Sequence, residues 1–186
     1  TARQGLERIA LALGDDDVLL DAFEREAAIT ADRSRLRFLV GELARIHEER
    51  GQPERALHWL EHLAGAVPED VAVLRDCARL QQRLGRHSAL CRTLEAIDRH
   101  VEGRDRAAVR RQLGAVRADR GETALALAAY RGALEAQPND LESARACVAL
   151  LETGDRALER CAALRRLAEL ESGSERIAVL HTLGLL

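Results

Sequence analysis

Few side chains in this sequence are placed to do chemistry, and their spacing limits what they could do. Cysteines stand at 77, 91, 147 and 161. No pair has the Cys-x2-Cys spacing of a zinc or redox motif. The separation of Cys77 from Cys91, and of Cys147 from Cys161, sets each pair on two facing helices, where Cα distances usually exceed the reach of a disulfide. Small apolar core positions are the expectation, because a free Cys packs like a small hydrophobe; bridges within the two pairs and a zinc site are the alternatives. His58 and His62 lie four apart, but a zinc peptidase needs His-Glu-x2-His and this segment reads His58-Trp59-Leu60-Glu61-His62. The Glu is misplaced and a third ligand is not evident, so the pair reads as a solvated helix face. His47, His87, His100 and His181 have no Ser or Cys partner at a recognisable spacing. The glycines form no phosphate-binding loop. Asp15-Asp16-Asp17 reads as a loop or helix start, where negative charge favours the helix dipole, and is too short for a calcium loop. The expectation is a chain with no catalytic residues, no metal and no cofactor.

The composition points to a binding surface built from helices. Of 186 residues, 47% are apolar, 32% charged and only 2% aromatic, which disfavours a strand-rich sandwich or barrel. All 28 basic residues are Arg, and Lys and Met are absent. Ala, Leu, Arg and Glu dominate, a vocabulary of good helix formers that suggests a GC-rich bacterial genome. A net charge of −3 argues against a general nucleic-acid binder. No apolar run reaches the roughly 18–20 residues of a membrane span. A start at Thr1 without Met, and an end at Leu186 inside an apolar stretch, suggest a piece of a longer chain; removal of an initiator Met is the alternative. Reduced core cysteines favour a cytoplasmic setting, with a periplasmic one left open.

Internal repetition positions these residues. Gly51 and Gly85 occupy equivalent places, each between two amphipathic stretches. Units follow at 37–70, 71–104, 107–140 and 141–174, the last degenerate. A degenerate unit fills 1–36, and 175–186 begins a further unit or forms a capping helix. A second, longer period spans two units and relates Cys77 to Cys147, Cys91 to Cys161, Leu94 to Leu164 and Gly103 to Gly173, as a duplicated two-unit block would.

Unit 107–140 carries Leu113-Gly114, Gly121, Ala126, Tyr130, Ala133 and Pro138; unit 37–70 carries Leu43-Ala44, Gly51, Ala56, Leu60 and Pro68 in the matching places. This pattern resembles the tetratricopeptide repeat (TPR), a helix pair of about 34 residues that reads W-x2-L-G-x2-Y, then A-x3-F, then P. The resemblance implies an all-α fold: a right-handed superhelical array of antiparallel helix pairs, an α-solenoid of about eleven helices. Ala44, Ala78 and Gly114 would let paired helices approach closely, while Leu60, Leu94 and Tyr130 fill the space towards the next unit. Gly51, Gly85 and Gly121 suit left-handed turns. Pro68-Glu69-Asp70 and Pro138-Asn139-Asp140 would stop one helix and cap the next.

In such arrays the first helix of each unit lines a concave groove. The places that face the groove are held here by Arg45, Arg75, Arg79, Arg83, Arg111 and Arg145. Guanidinium forks of this kind suit an acidic peptide, with apolar contacts at Phe38, Ala72, Ala108, Ala115 and Ala149. The opposing reading is that Glu42, Glu48, Glu49, Asp76 and Asp119 neutralise the stripe. The carboxylate clamp of chaperone-binding members is not expected, since there is no Lys and the only Asn is Asn139 at a turn. The function implied is a protein-interaction scaffold whose partner is another protein or peptide, with no nucleic acid and no membrane. The alternatives are a structural spacer or self-association module of a larger enzyme or regulator, pairing through the C-terminal helix, and RNA binding by a related helical-pair repeat.

Overall fold

The computed structural model describes residues 16–152 and 156–185. Expectations attached to Thr1, Asp15 and Leu186 lie outside the described residues, as does most of the first half of unit 1–36. Every regular element of the described residues is an α-helix, and there are ten. They are α1 (Asp16–Ala27), α2 (Arg33–Glu49), α3 (Pro53–Ala66), α4 (Val71–Arg83), α5 (His87–Asp98), α6 (Gly103–Asp119), α7 (Thr123–Ala136), α8 (Leu141–Leu150), α9 (Ala157–Leu170) and α10 (Gly173–Gly184).

The turns are written in the local sequence. Gly51, Gly85 and Gly121 have φ of 69°, 66° and 74°. Each closes the same exit: the amide after the glycine donates to a carbonyl near the end of the helix, as Gln52 to His47 (2.8 Å), Arg86 to Gln81 (2.8 Å) and Glu122 to Arg117 (2.9 Å). Only glycine adopts that left-handed conformation without strain. Asp32, Asp70 and Asp140 cap the helices that follow them; Asp70 accepts from the amides of Ala72 (3.0 Å) and Val73 (3.3 Å). Pro53 opens α3, where its missing amide hydrogen costs nothing.

Helix starts recur at the two-unit period: α2, α6 and α10 at 33, 103 and 173; α3 and α7 at 53 and 123; α4 and α8 at 71 and 141; α5 and α9 at 87 and 157. The helices α2 and α6 begin one helical turn ahead of positions 37 and 107, where a strict repeat count starts its units. Asp32 caps the earlier start in α2. In α6, Asp105 and Arg106, the two residues left over by the count, form part of the first turn and not a loop.

The chain divides into two compact units, Thr1–Thr93 and Leu94–Leu186. In the first, Leu39, Leu43 and Ile46 of α2 meet Leu57 and Leu63 of α3 in a core closed by Phe23 of α1 and Cys77 of α4. His47 is fully buried there, its ring nitrogens 3.2 Å from Glu24 Oε1 and 3.1 Å from Gln52 Oε1, so a polar link ties α1 to the α2–α3 turn. In the second unit, Ala126, Leu127 and Tyr130 of α7 pack with Cys147 and Leu151. A Cβ added at Gly114 would stand 2.9 Å from the Tyr130 ring, so the missing side chain is what seats that ring on α6. Arg110 stands where the repeat pattern has Trp. It donates to both carboxylate oxygens of Asp98 (2.8 and 3.1 Å) and to the Gly132 carbonyl (3.1 Å), replacing an aromatic wedge by a charged one.

Candidate functional site

Each unit carries an open hollow of about 390 Å³ between two first helices of successive repeats. In the first unit it lies between α2 and α4 over Leu60 of α3, lined by Gly41, Ala44, Arg45, Glu48, Glu49, Asp76 and Arg79. In the second it lies between α6 and α8 over Tyr130 of α7, lined by Ala108, Arg111, Gln112, Ala115, Glu142 and Ala146. The two-unit offset relates them: Leu60 corresponds to Tyr130, Ala44 to Gly114, Arg45 to Ala115 and Asp76 to Ala146.

The stripe arginines divide between these places, and those with described partners are held by carboxylates. Arg45 donates to Glu42 (2.9 Å) and Glu49 (2.8 Å) on its own helix. Arg79 reaches from α4 to Glu48 on α2 with two parallel bonds of 2.7 Å, the bidentate geometry that fits a guanidinium to a carboxylate. That bond, with the nearby charges of Arg79 and Arg83, holds the Glu48 carboxyl below its ordinary range although partial burial pulls the other way. Arg83 and Arg75 are exposed on the same helix. Arg111 lines the second hollow and is shared by Asp140 (3.0 Å), buried at the α8 cap, and Glu142 (3.1 Å), which is exposed. Arg145 lies outside the hollow and donates to Glu171 (2.7 Å). Arg45, Arg79, Arg111 and Arg145 are therefore held in ion pairs. Glu42, Glu48, Glu49 and Asp76 supply the neutralising charge in the first unit.

The second hollow holds what a charge-based reading of the stripe passes over. Its floor is the Tyr130 ring, and its walls combine the methyl groups of Ala108, Ala115 and Ala146 with the polar side chains of Arg111, Gln112 and Glu142. Burial raises the Tyr130 phenol above its ordinary value, so the ring is neutral in any ordinary buffer. Comparing lining positions with their counterparts two units along would have found this place, because Leu60 becomes Tyr130 while Arg45 and Asp76 become Ala115 and Ala146.

The remaining candidates take structural places. Cys77 and Cys147 are buried and Cys91 and Cys161 half-buried, all as free thiols. Burial pushes the Cys77 thiol up to about 12 and that of Cys147 in the same direction, which makes both poor nucleophiles. His58 and His62 are exposed and flank Trp59 edge-on at 5.5 and 5.9 Å. Among the described residues no group of His, Cys, Asp or Glu is placed to hold a metal ion, and no helix is long and apolar enough to cross a membrane.

No protein-family model and no curated protein matches the chain by sequence. Solved structures do. A crystal structure of MamA is 15% identical over 91% of this chain and 88% of its own, with a TM-score of 0.56. A MamA mutant gives 18% identity over 96% and 99%, with a TM-score of 0.60. YrrB, described as a TPR protein with an unusual peptide-binding site, is 16% identical over 72% of this chain and 68% of its own, with a TM-score of 0.53. With the helix-pair turns, the two-unit recurrence and the Gly114–Tyr130 contact, these likenesses establish that the chain has the fold of a tetratricopeptide-repeat array.

Proposed function

We propose that the chain is a protein-interaction scaffold and that the hollow between α6 and α8 seats an apolar side chain of a partner peptide. The carrying observation is the difference between the two hollows. Over Leu60 the α2–α4 hollow carries the pairs Arg45–Glu49 and Arg79–Glu48, whereas the α6–α8 hollow has an aromatic floor, alanines at the positions of Arg45 and Asp76, and one pair, Arg111–Glu142, whose carboxylate is exposed. YrrB, of similar fold, is described as having a peptide-binding site, which favours a peptide ligand here. Binding of this kind presents a preformed surface and needs little ordering of the array.

Selectivity for an acidic segment would work by exchange. Glu142 is exposed and its bond to Arg111 is replaceable, while buried Asp140 keeps the guanidinium aimed. An incoming carboxylate would take the place of Glu142 on the Arg111 fork. Since an exposed pair contributes roughly 0.2–1 kcal/mol, the exchange sets orientation and preference, and the apolar anchor supplies the affinity.

The test is peptide selection from a random library on the chain and on Ala115→Arg, which puts into the second hollow the residue present in the first. Peptides carrying an apolar residue next to Asp or Glu should be enriched on the parent and lost on the variant. Equal enrichment on both proteins would remove the hollow from the mechanism, and enrichment without acidic residues would remove the exchange at Arg111.

A further inference from the structure

The outward faces of the second helices change between the two blocks in the same direction as the hollows. At the two-unit offset, exposed Glu54, Arg55 and His58 of α3 become exposed Ala124, Leu125 and Ala128 of α7. Exposed Ser88 and Arg92 of α5 become exposed Leu158 and Ala162 of α9. Two acidic positions of this face change sign: Glu61 becomes Arg131, and Glu95 becomes Arg165. The helices α7 and α9 each pack on α8. Between them lies an open groove of about 420 Å³, lined by Arg131, Leu158, Glu159, Ala162, Ala163 and Arg166. Leu158 is 89% exposed, the highest value for a large apolar side chain among the described residues. An apolar patch rimmed by charge, where the sister block has a charged face, marks an interaction surface. It shares no lining residue with the α6–α8 hollow.

We infer that this groove takes an amphipathic helix of another protein, with an apolar side chain over Leu158 and Ala162 and a carboxylate against Arg165. The charges select an acidic occupant. Arg131 crosses the groove to Glu159 (2.6 Å), and Arg166 donates to Glu169 (2.8 Å) and to the Pro138 carbonyl (2.5 Å). Arg165 is exposed beside them and has no carboxylate partner among the described residues. The groove thus presents one uncompensated guanidinium next to its apolar end, which an acidic side chain complements. The spacing selects a helix. Leu158, Ala162 and Arg165 stand on successive turns of α9, the step at which a facing helix presents its own side chains. Leu158 and Arg165 are separated by about 10 Å along the helix axis, so the partner carries its apolar anchor and its carboxylate two turns apart. An anionic bilayer is the poorer fit, because it is flat and would also meet Glu159 and Glu169.

The probe is a library of helical peptides with one randomised face, selected on the chain and then measured by fluorescence anisotropy. Enriched helices should carry Leu, Ile or Met with Asp or Glu two turns away. Leu158→Asp should weaken their binding at least about tenfold, and circular dichroism checks that the variant keeps its helix content. Arg165→Glu should weaken it too, and a helix whose acid is changed to Lys should regain binding to that variant alone. Ala115→Arg, which fills the α6–α8 hollow, should bind the enriched helices like the parent, so the two surfaces succeed or fail separately. The assignment is overturned if no helix is enriched, if enriched helices keep their affinity for Leu158→Asp or lose it on Ala115→Arg, or if the Lys exchange restores nothing. It is equally overturned if the groove instead holds vesicles containing phosphatidylglycerol, or pairs two copies of the chain in sedimentation, in a manner that Leu158→Asp abolishes.

Discussion

The two hollows occupy the same place in two copies of one structural block, have the same volume, and differ in what fills them. Between α2 and α4, Arg45, Arg79, Glu48 and Glu49 form pairs above Leu60. Between α6 and α8 the corresponding positions are Ala115, Ala149, Ala118 and Asp119, and the floor is Tyr130. The backbone that shapes the hollow is thus independent of the chemistry that lines it. A first helix needs only a small residue at position 44 or 114 and an apolar one at 43 or 113 to seat its partner, which leaves the solvent-facing positions of the turn free to vary.

The comparison can be broken from its most buried members outward. Tyr130→Ala should cost about 3–5 kcal/mol by denaturant unfolding and abolish peptide capture, because it removes both core contacts and the hollow floor. Leu60→Ala should cost about 2–5 kcal/mol without touching capture; loss of capture there would place the binding site in the first unit. Gly114→Ala should destabilise by roughly 1–3 kcal/mol, since its methyl meets the Tyr130 ring at 2.9 Å. Gly41→Ala, with nothing within 4 Å of the new methyl, should instead stabilise by about 0.5–1 kcal/mol. Thermal melts of the two glycine variants should therefore shift in opposite directions. Asp140→Ala should cost about 1–2 kcal/mol as a lost cap, and should also loosen Arg111; its mark is weakened preference for acidic peptides, a change absent from Asp70→Ala.

The smallest effect is a pH dependence of the first hollow alone. Arg79 holds the Glu48 carboxyl below its ordinary value of 4.5, so that pair contributes stability above the unfolded value and loses it as pH falls through the lower folded one. Glu48→Gln should reduce the loss of stability on acidification below about pH 4.5, by no more than the roughly 0.2–1 kcal/mol typical of such pairs. Unfolding curves of both proteins from neutral to acid pH check the sign. A larger acid loss in the variant would contradict it.

How far the architecture could be read in advance follows from which forces act locally. The glycine turns, the Pro-Asp caps and the two-unit recurrence are short-range or periodic, so they stand in the sequence and reappear in the helices. The burial of Cys77 and Cys147 was legible for the same reason, as both lie on an apolar stripe at helical spacing. The state of the arginine stripe was legible only in part. Arg79 finds Glu48, Arg111 finds Asp140, and Arg145 finds Glu171, each across most of a repeat. Such pairs appear only when successive units are laid side by side. His47 was legible only in part: it continues the Leu36, Val40 and Leu43 stripe by one turn, but its partners Glu24 and Gln52 come from two other segments.

Within each unit, the packing of helices on their neighbours in the chain has a kinetic consequence. Among the described residues, the extensive helix–helix contacts all join consecutive helices. Folding therefore requires the closure of short loops only, the topology associated with rapid formation of structure. On the ribosome, α2 and α3 could close around Leu43 and Leu57 before α6 is synthesised, and within each unit a later helix would find its template already in place. A chain assembled in this way has little use for a slow search over distant contacts. Its exposure to misfolding is confined to the brief interval when a first helix waits for its second.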